Sequence, residues 1–250
     1  GGTAHGVAYN PTEGIIDLGT LHPGSSTRAN AANGDGSTVV GWQDLNGPWK
    51  AAVWRKDPAG GYLPNTYILI NPTGSASDEN NQAGECSAIS DDGSVIGGYG
   101  DFATNDEPWI WTQAGGVQQL GVLPAMGRGF VADMSADGSR AVGWFDGQFF
   151  GDPRKAFLWT AQDGLQDLNT YATDVLGITL GNNTLGTANS ISPDGRYICG
   201  VGQASSSMVA YRLDLGNTTG IQNTTVVEDL EVWPNPTTDR VRFYAPQFAH

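Results

Sequence analysis

The sequence predicts an all-β protein, a β-propeller built from four-stranded blades. Three observations carry this expectation: a glycine hairpin turn that recurs four times, an aromatic residue that follows each turn at a matching place, and a composition of many turn formers with only short apolar runs. Of 250 residues 36 are Gly and 13 are Pro, while hydrophobic residues make up 39%. Such a chain can bury a core, but through short strands joined by tight turns rather than through long helices.

The chain opens inside a unit. Residues 5–18 align without a gap with residues 155–168, so they predict the second hairpin of a blade, and upstream residues supplying its first hairpin are expected. The first hairpins follow at Asn33-Gly34-Asp35-Gly36, Ser90-Asp91-Asp92-Gly93, Ser135-Ala136-Asp137-Gly138 and Ser192-Pro193-Asp194-Gly195. Asp-Gly between apolar runs is a strong hairpin signal, because the turn needs a positive φ that Gly adopts without strain. A second glycine lies five residues after each turn, at Gly41, Gly98, Gly143 and Gly200. Each second hairpin then carries an aromatic at one place, Trp54, Trp111, Trp159 and Tyr211. A residue that recurs once per unit is read as packing. The turn glycines are 57, 45 and 57 residues apart, close to the roughly 40 to 50 residues of known propeller blades. Residues 1–215 thus hold about four and a half units of a larger ring, 216–228 are a polar linker, and 229–250 are a separate C-terminal segment expected to make few contacts with the repeats.

Blocks of this shape, an Ile-Ser-x-Asp-Gly hairpin such as Ile191 to Gly195, then Ala156-Phe157-Leu158-Trp159-Thr160 and Gly164-Leu165-Gln166-Asp167-Leu168, resemble the HAF family of extracellular repeats. The tripeptide that names the family has its nearest forms here in Lys155-Ala156-Phe157 and His5-Gly6-Val7. That resemblance implies a propeller and attaches no catalytic role. Residues 191–198 are also similar to repeats of TolB-type propellers, which are interaction scaffolds. A sialidase-type Asp-box, which places a residue between Asp and Gly, does not fit.

The C-terminal segment carries Leu230-Glu231-Val232-Trp233-Pro234-Asn235-Pro236 and then Asp239 before Val241 and Phe243. By its residues alone it is a strand, a Pro-Asn-Pro turn and a second alternating strand. It resembles the opening of the C-terminal sorting domain carried by cargo of the bacterial type IX secretion system. The resemblance implies Pro234, Asn235, Pro236 and Asp239 as the sorting signal, the secretion machinery as a partner, and a secreted or outer-membrane surface location.

Twelve Lys plus Arg against 26 Asp plus Glu give a net charge of −14. That field repels a phosphate backbone, so nucleic acid is excluded as a partner. No apolar run is long enough to span a membrane. Calcium stays open as a cation, and no other cofactor is indicated. His5, His22 and His250 form no metal-ligand spacing with the cysteines, and no nucleophile elbow or phosphate loop occurs. Cys86 and Cys199 fall in small or apolar columns of non-neighbouring units, so both are expected as buried free thiols.

In a four-stranded blade the two hairpin turns share one face, and the remaining connections lie on the other. Those are longer here: 44–50, 100–107, 146–154, 121–130 and 169–187. They bring aromatics beside carboxylates, Trp49 with Asp44, Phe102 with Asp106, and Phe149 and Phe150 with Asp146 and Asp152. Aromatic faces beside planar hydrogen-bonding groups suit sugar rings. The same aromatics could instead plug gaps between blades. The expected function is a binding or scaffold propeller that recognises a glycan or a protein through the long-loop face. Two alternatives stand beside it, a polysaccharide-active enzyme using a pair of loop carboxylates and a structural subunit of a surface assembly.

Overall fold

The computed structural model describes residues 3–20, 23–44, 49–63, 83–102, 105–149, 151–204, 207–216 and 233–234. They form an opening hairpin, β1 (Val7–Asn10) and β2 (Gly14–Asp17), then four antiparallel sheets in chain order. The first is β3 (Thr27–Ala32), β4 (Thr38–Gln43) and β5 (Lys50–Arg55), continued by a single bridge between Lys56 and Tyr62. The second is β6 (Ala83–Ile89), β7 (Val95–Phe102), β8 (Asn105–Thr112) and β9 (Gly116–Gln119). The third is β10 (Met126–Met134), β11 (Arg140–Gly147), β12 (Lys155–Thr160) and β13 (Gly164–Asp167). The fourth is β14 (Thr184–Ile191), β15 (Tyr197–Ala204), β16 (Ser207–Asp214) and β17 (Trp233–Pro234). These are the blades of a β-propeller, each an up-and-down meander whose first strand lies beside the first strand of the next blade.

The turn glycines do what their position asks. Gly36, Gly93, Gly138 and Gly195 have φ of 69°, 71°, 67° and 71°, the left-handed region that Gly enters without a Cβ penalty. In the second blade the Ser90 hydroxyl donates to Asp92 and accepts from the Val95 N–H, and Asp92 accepts the Ser94 N–H. Ser135 with Asp137 and Ser192 with Asp194 repeat this arrangement, and Asn33 takes the serine's place in the first blade. Backbone bonds then join turn to turn. The Gly34 N–H donates to the Asp91 carbonyl at 3.0 Å, Asp91 to Ala136 at 2.8 Å, and Ala136 to Pro193 at 2.9 Å.

The second glycine column has a steric cause. A Cβ at Gly41, Gly98, Gly143 or Gly200 would sit 1.8 to 1.9 Å from the carbonyl oxygen of Arg28, Glu85, Phe130 or Thr187. Beside that close approach each first strand carries a bulge, between Ala29 and Ala31, Cys86 and Ala88, Val131 and Asp133, and Ala188 and Ser190. The extra residues are Asn30, Ser87, Ala132 and Asn189, and a bulge re-aims the side chain it carries.

The core lies between blades. Trp54, Trp111, Trp159 and Tyr211 are 3%, 7%, 4% and 4% exposed, as expected for a packing column. Val40, Val53, Cys86, Ile96 and Trp109 pack between the first and second blades, and Met134, Phe145, Phe157 and Trp159 between the second and third. Complete burial of one such apolar side chain stabilises by about 1.5–3 kcal/mol.

The structure corrects several expectations. The connection expected over 100–107 is instead a continuation of the ladder, with Asp101 opposite Asp106 and Phe102 opposite Asn105. That stretch holds no proline, so every residue keeps a donor for pairing. Asp146 likewise sits on β11. The connection expected to be irregular over 169–187 begins with a short helix, α1 (Leu168–Thr170), and a π turn over Tyr171–Val175. Asp167 caps that helix by accepting the Asn169 N–H, and Leu168 and Ala172 are buried against the fourth blade. Cys86 is buried but Cys199 is exposed, because no further blade among the described residues covers the outer face of β15. In the C-terminal segment, expected to make few contacts with the repeats, Trp233 and Pro234 are described, and they pair with Ala210 and Val209 of β16. The last strand of a sheet among the described residues tolerates proline, which brings a carbonyl but no donor.

Candidate functional site

Within each blade the residue after the second glycine pairs with a first-strand residue: Trp42 with Arg28, Tyr99 with Glu85, Trp144 with Phe130, and Val201 with Thr187. These pairs lie toward the β4–β5, β7–β8, β11–β12 and β15–β16 connections. The third strand adds a residue two places before the next partner in the ladder, so Trp49, Asp106 and Arg154 occupy equivalent places beside Trp42, Tyr99 and Trp144. Trp49 stacks on Trp42 with centroids 4.5 Å apart and planes at 11°. The Arg154 guanidinium lies over Trp144 at 5.9 Å.

The row continues from blade to blade. Arg28 lies over the Trp42 ring at 5.5 Å, and its Nη2 donates to Glu85 of the next blade. The Glu85 side chain is only 6% exposed and also accepts from the Asn30 amide at 2.6 Å and the Tyr99 hydroxyl at 2.7 Å. Burial, and then the bond to Glu85 and its charge, push the Tyr99 phenol well above its usual range, which keeps it a donor. Tyr99 meets Phe130 edge-on at 4.7 Å, and Phe130 meets Trp144 at 5.5 Å. Asp146 closes the row by pairing with Arg128 at 3.0 Å and Arg154 at 2.8 Å.

Part of this row borders a wide, open cavity of about 550 Å³ lined by Arg28, Asn30, Glu85, Ser87, Tyr99, Phe130, Val131, Ala132, Trp144 and Asn189. Its volume lies in the range of small-ligand pockets. All four bulged residues line it, so the irregularity in each first strand is what furnishes the wall. Asn30 and Ser87 also reach across to the carbonyls of Cys86 and Val131 in the next blades. The indole Nε1 of Trp144 is buried without a hydrogen-bond partner. The lining holds one carboxylate, Glu85, whereas hydrolysis of a glycosidic bond ordinarily uses two. Among the described residues no three His, Cys, Asp or Glu side chains gather to hold a metal ion.

Of the residues singled out by sequence, Trp49 stands at the edge of this site, 44% exposed. Asp106 acts on Tyr99, and Asp146 ties the two arginines together. The Asp44 N–H donates to Ser26 beside them. Phe149 is 72% exposed on the β11–β12 connection, where its N–H donates to Asp152 at 2.9 Å, and it does not line the cavity. Phe150, Asn235, Pro236, Asp239 and the Phe102 side chain lie outside the described residues. Sequence reading missed Arg28, Glu85, Tyr99, Phe130 and Trp144. The signal that finds three of the row's aromatics is their fixed place after Gly41, Gly98 and Gly143.

No family model matches the chain, and no curated protein is similar to it at a significant level. Among solved structures the chain is similar to TolB from Acinetobacter baumannii, at 17% identity and a TM-score of 0.48 over 84% of this chain and 45% of that one. It is similar to a TolB from Agrobacterium tumefaciens at 17% identity and a TM-score of 0.49, over 83% of this chain and 64% of that one. A nidogen/laminin complex aligns at 12% identity and a TM-score of 0.44, over 85% of this chain and 72% of that one. The chain spans less than two thirds of either TolB chain.

Proposed function

We propose that this protein is a secreted or cell-surface propeller of the HAF-repeat type that binds a glycan at the mouth formed by the row from Trp49 to Arg154. What supports this is the way the row is made. Half-exposed and buried aromatics alternate with a guanidinium, a carboxylate, amides and a phenol, held in place by contacts across three blades. A pyranose offers a C–H face for Trp49 and hydroxyls for such planar partners. The sequence from Leu230 to Phe243 supports export by the type IX pathway, with Pro234, Asn235, Pro236 and Asp239 as its sorting signal.

A glycan-array screen of the whole chain, followed by titration of each hit against Trp49→Ala, tests the proposal. Trp49 is half exposed, so its loss should leave the fold intact and weaken glycan binding by about 1 kcal/mol or more. Binding that is unchanged in Trp49→Ala would remove the mouth from the function. A protein partner is the second reading, favoured by the exposed Phe149 on the same face.

A further inference from the structure

We infer that the pocket selects an uncharged saccharide and rejects one bearing carboxylates, with Glu85 as the residue that sets this preference. The inference rests on the glycan function proposed above and adds the ligand class.

A lone guanidinium in a sugar site invites an acidic ligand, because Arg binds carboxylates through paired hydrogen bonds. Arg28 is not alone. Its Nη2 is given to Glu85 and its Nε to Asn30 at 2.8 Å, while its plane rests on Trp42. The Glu85 carboxylate is nearly buried, so its charge acts through little water on anything that enters beside it. An incoming carboxylate would meet that like charge and would have to share an engaged guanidinium. Along the rest of the row Arg128 and Arg154 are bonded to Asp146, and Asp106 adds a further negative charge near Tyr99. The protein as a whole carries −14, so the far field also opposes an anionic chain.

Hydroxyls meet no such opposition. A hydroxyl both donates and accepts, and the lining offers both kinds of partner. The exposed Asn189 amide, which carries both a donor and an acceptor, lies on the wall of the cavity.

The test is calorimetric titration of the whole chain with neutral oligosaccharides (cello-, xylo-, manno- and laminari-series) and with oligouronates (galacturonate and alginate series), at low and at physiological salt. The expected result is binding of a neutral series, with uronates at least about tenfold weaker, most markedly at low salt. In Glu85→Gln the amide keeps the shape and removes the negative charge that balances the Arg28 guanidinium, so uronate affinity should rise about tenfold or more. Asn189→Trp, which fills the cavity from an exposed position, should abolish binding of the neutral series. Thermal unfolding confirms that each variant is folded, and the wild-type comparison stands even if Glu85→Gln is not. Uronates that bind the wild type as tightly as neutral sugars would overturn the inference and leave the glycan function standing. A folded Glu85→Gln with unchanged uronate affinity would overturn the role given to Glu85. Failure of every saccharide to bind would overturn the glycan function and this inference with it.

Discussion

The Pro193 carbonyl accepts the Ala136 N–H at 2.9 Å, and Pro193, having no N–H, passes no bond onward. From Gly34 through Asp91 and Ala136 the same turn position donates to its counterpart in the next blade. The fourth blade therefore receives a link that it cannot repeat. The turns on this face are structural joints, and their chemistry can be probed separately from the mouth at the other end of the strands.

Replacement of Gly138 by Ala should destabilise the protein far more than replacement of Gly14 by Ala. Both glycines have positive φ, 67° and 77°, which costs an Ala about 1–2 kcal/mol. Only at Gly138 does the new Cβ also collide, at 2.6 Å from a Val95 methyl of the preceding blade, which adds about 1–3 kcal/mol. Urea denaturation of the two variants measures the difference, and equal losses would show that the turn is not wedged between blades.

Acid should weaken the fold through the four turn carboxylates. Asp35, Asp92, Asp137 and Asp194 are held below the usual range, chiefly by the hydroxyls of Ser37, Ser94, Ser135 and Ser192 in turn. A carboxylate whose folded pKa is depressed adds stability that is present above its unfolded value, near 3.9, and is lost as the pH falls below it. Unfolding midpoints should be flat through neutral pH and drop below about pH 4. Asp137→Asn should lower stability at neutral pH and flatten that drop, and an unaltered slope would count against the turn carboxylates as its source.

A thiol reagent at neutral pH should label one cysteine of the native chain and both after unfolding. Cys199 is exposed, whereas Cys86 is buried between the first two blades. Burial, and then the charge of Glu85, push the Cys86 thiol far above its ordinary range, so it holds no thiolate to react. Mass spectrometry identifies the labelled residue. Fast modification of Cys86 in the folded protein would mean that this interface opens readily.

Deletion of residues 235–250, which spares β17 of the fourth blade, in a host with type IX secretion should leave a folded propeller retained inside the outer membrane. Fractionation with immunodetection reads the outcome. Normal arrival of the shortened protein at the cell surface or in the medium would remove the sorting role from Asn235, Pro236 and Asp239.

The blades were legible because their markers depend on single residues at fixed spacing. A positive φ selects Gly36, Gly93, Gly138 and Gly195, and a buried place in every unit selects Trp54, Trp111, Trp159 and Tyr211. The mouth was less legible. Its wall comes from bulges at Asn30, Ser87, Ala132 and Asn189, and a bulge leaves no mark on an alternating pattern until the pairing is known. The long connections drew notice to Trp49, Asp106 and Asp146, which do adjoin the row, and to Phe149, which does not line the cavity. Glu85 looked like one acidic residue among many, since its burial depends on Arg28, Asn30 and Tyr99 arriving from elsewhere in the chain.

Trp49, Asp106 and Arg154 stand at one and the same structural address in three blades, yet they are an aromatic, an acid and a base. None of them belongs to the buried column or to the turn joints, so exchange at these places leaves the means of folding alone. Duplicated blades that began alike could thus diverge in taste one residue at a time, and a lineage could acquire a new ligand without first acquiring a new architecture.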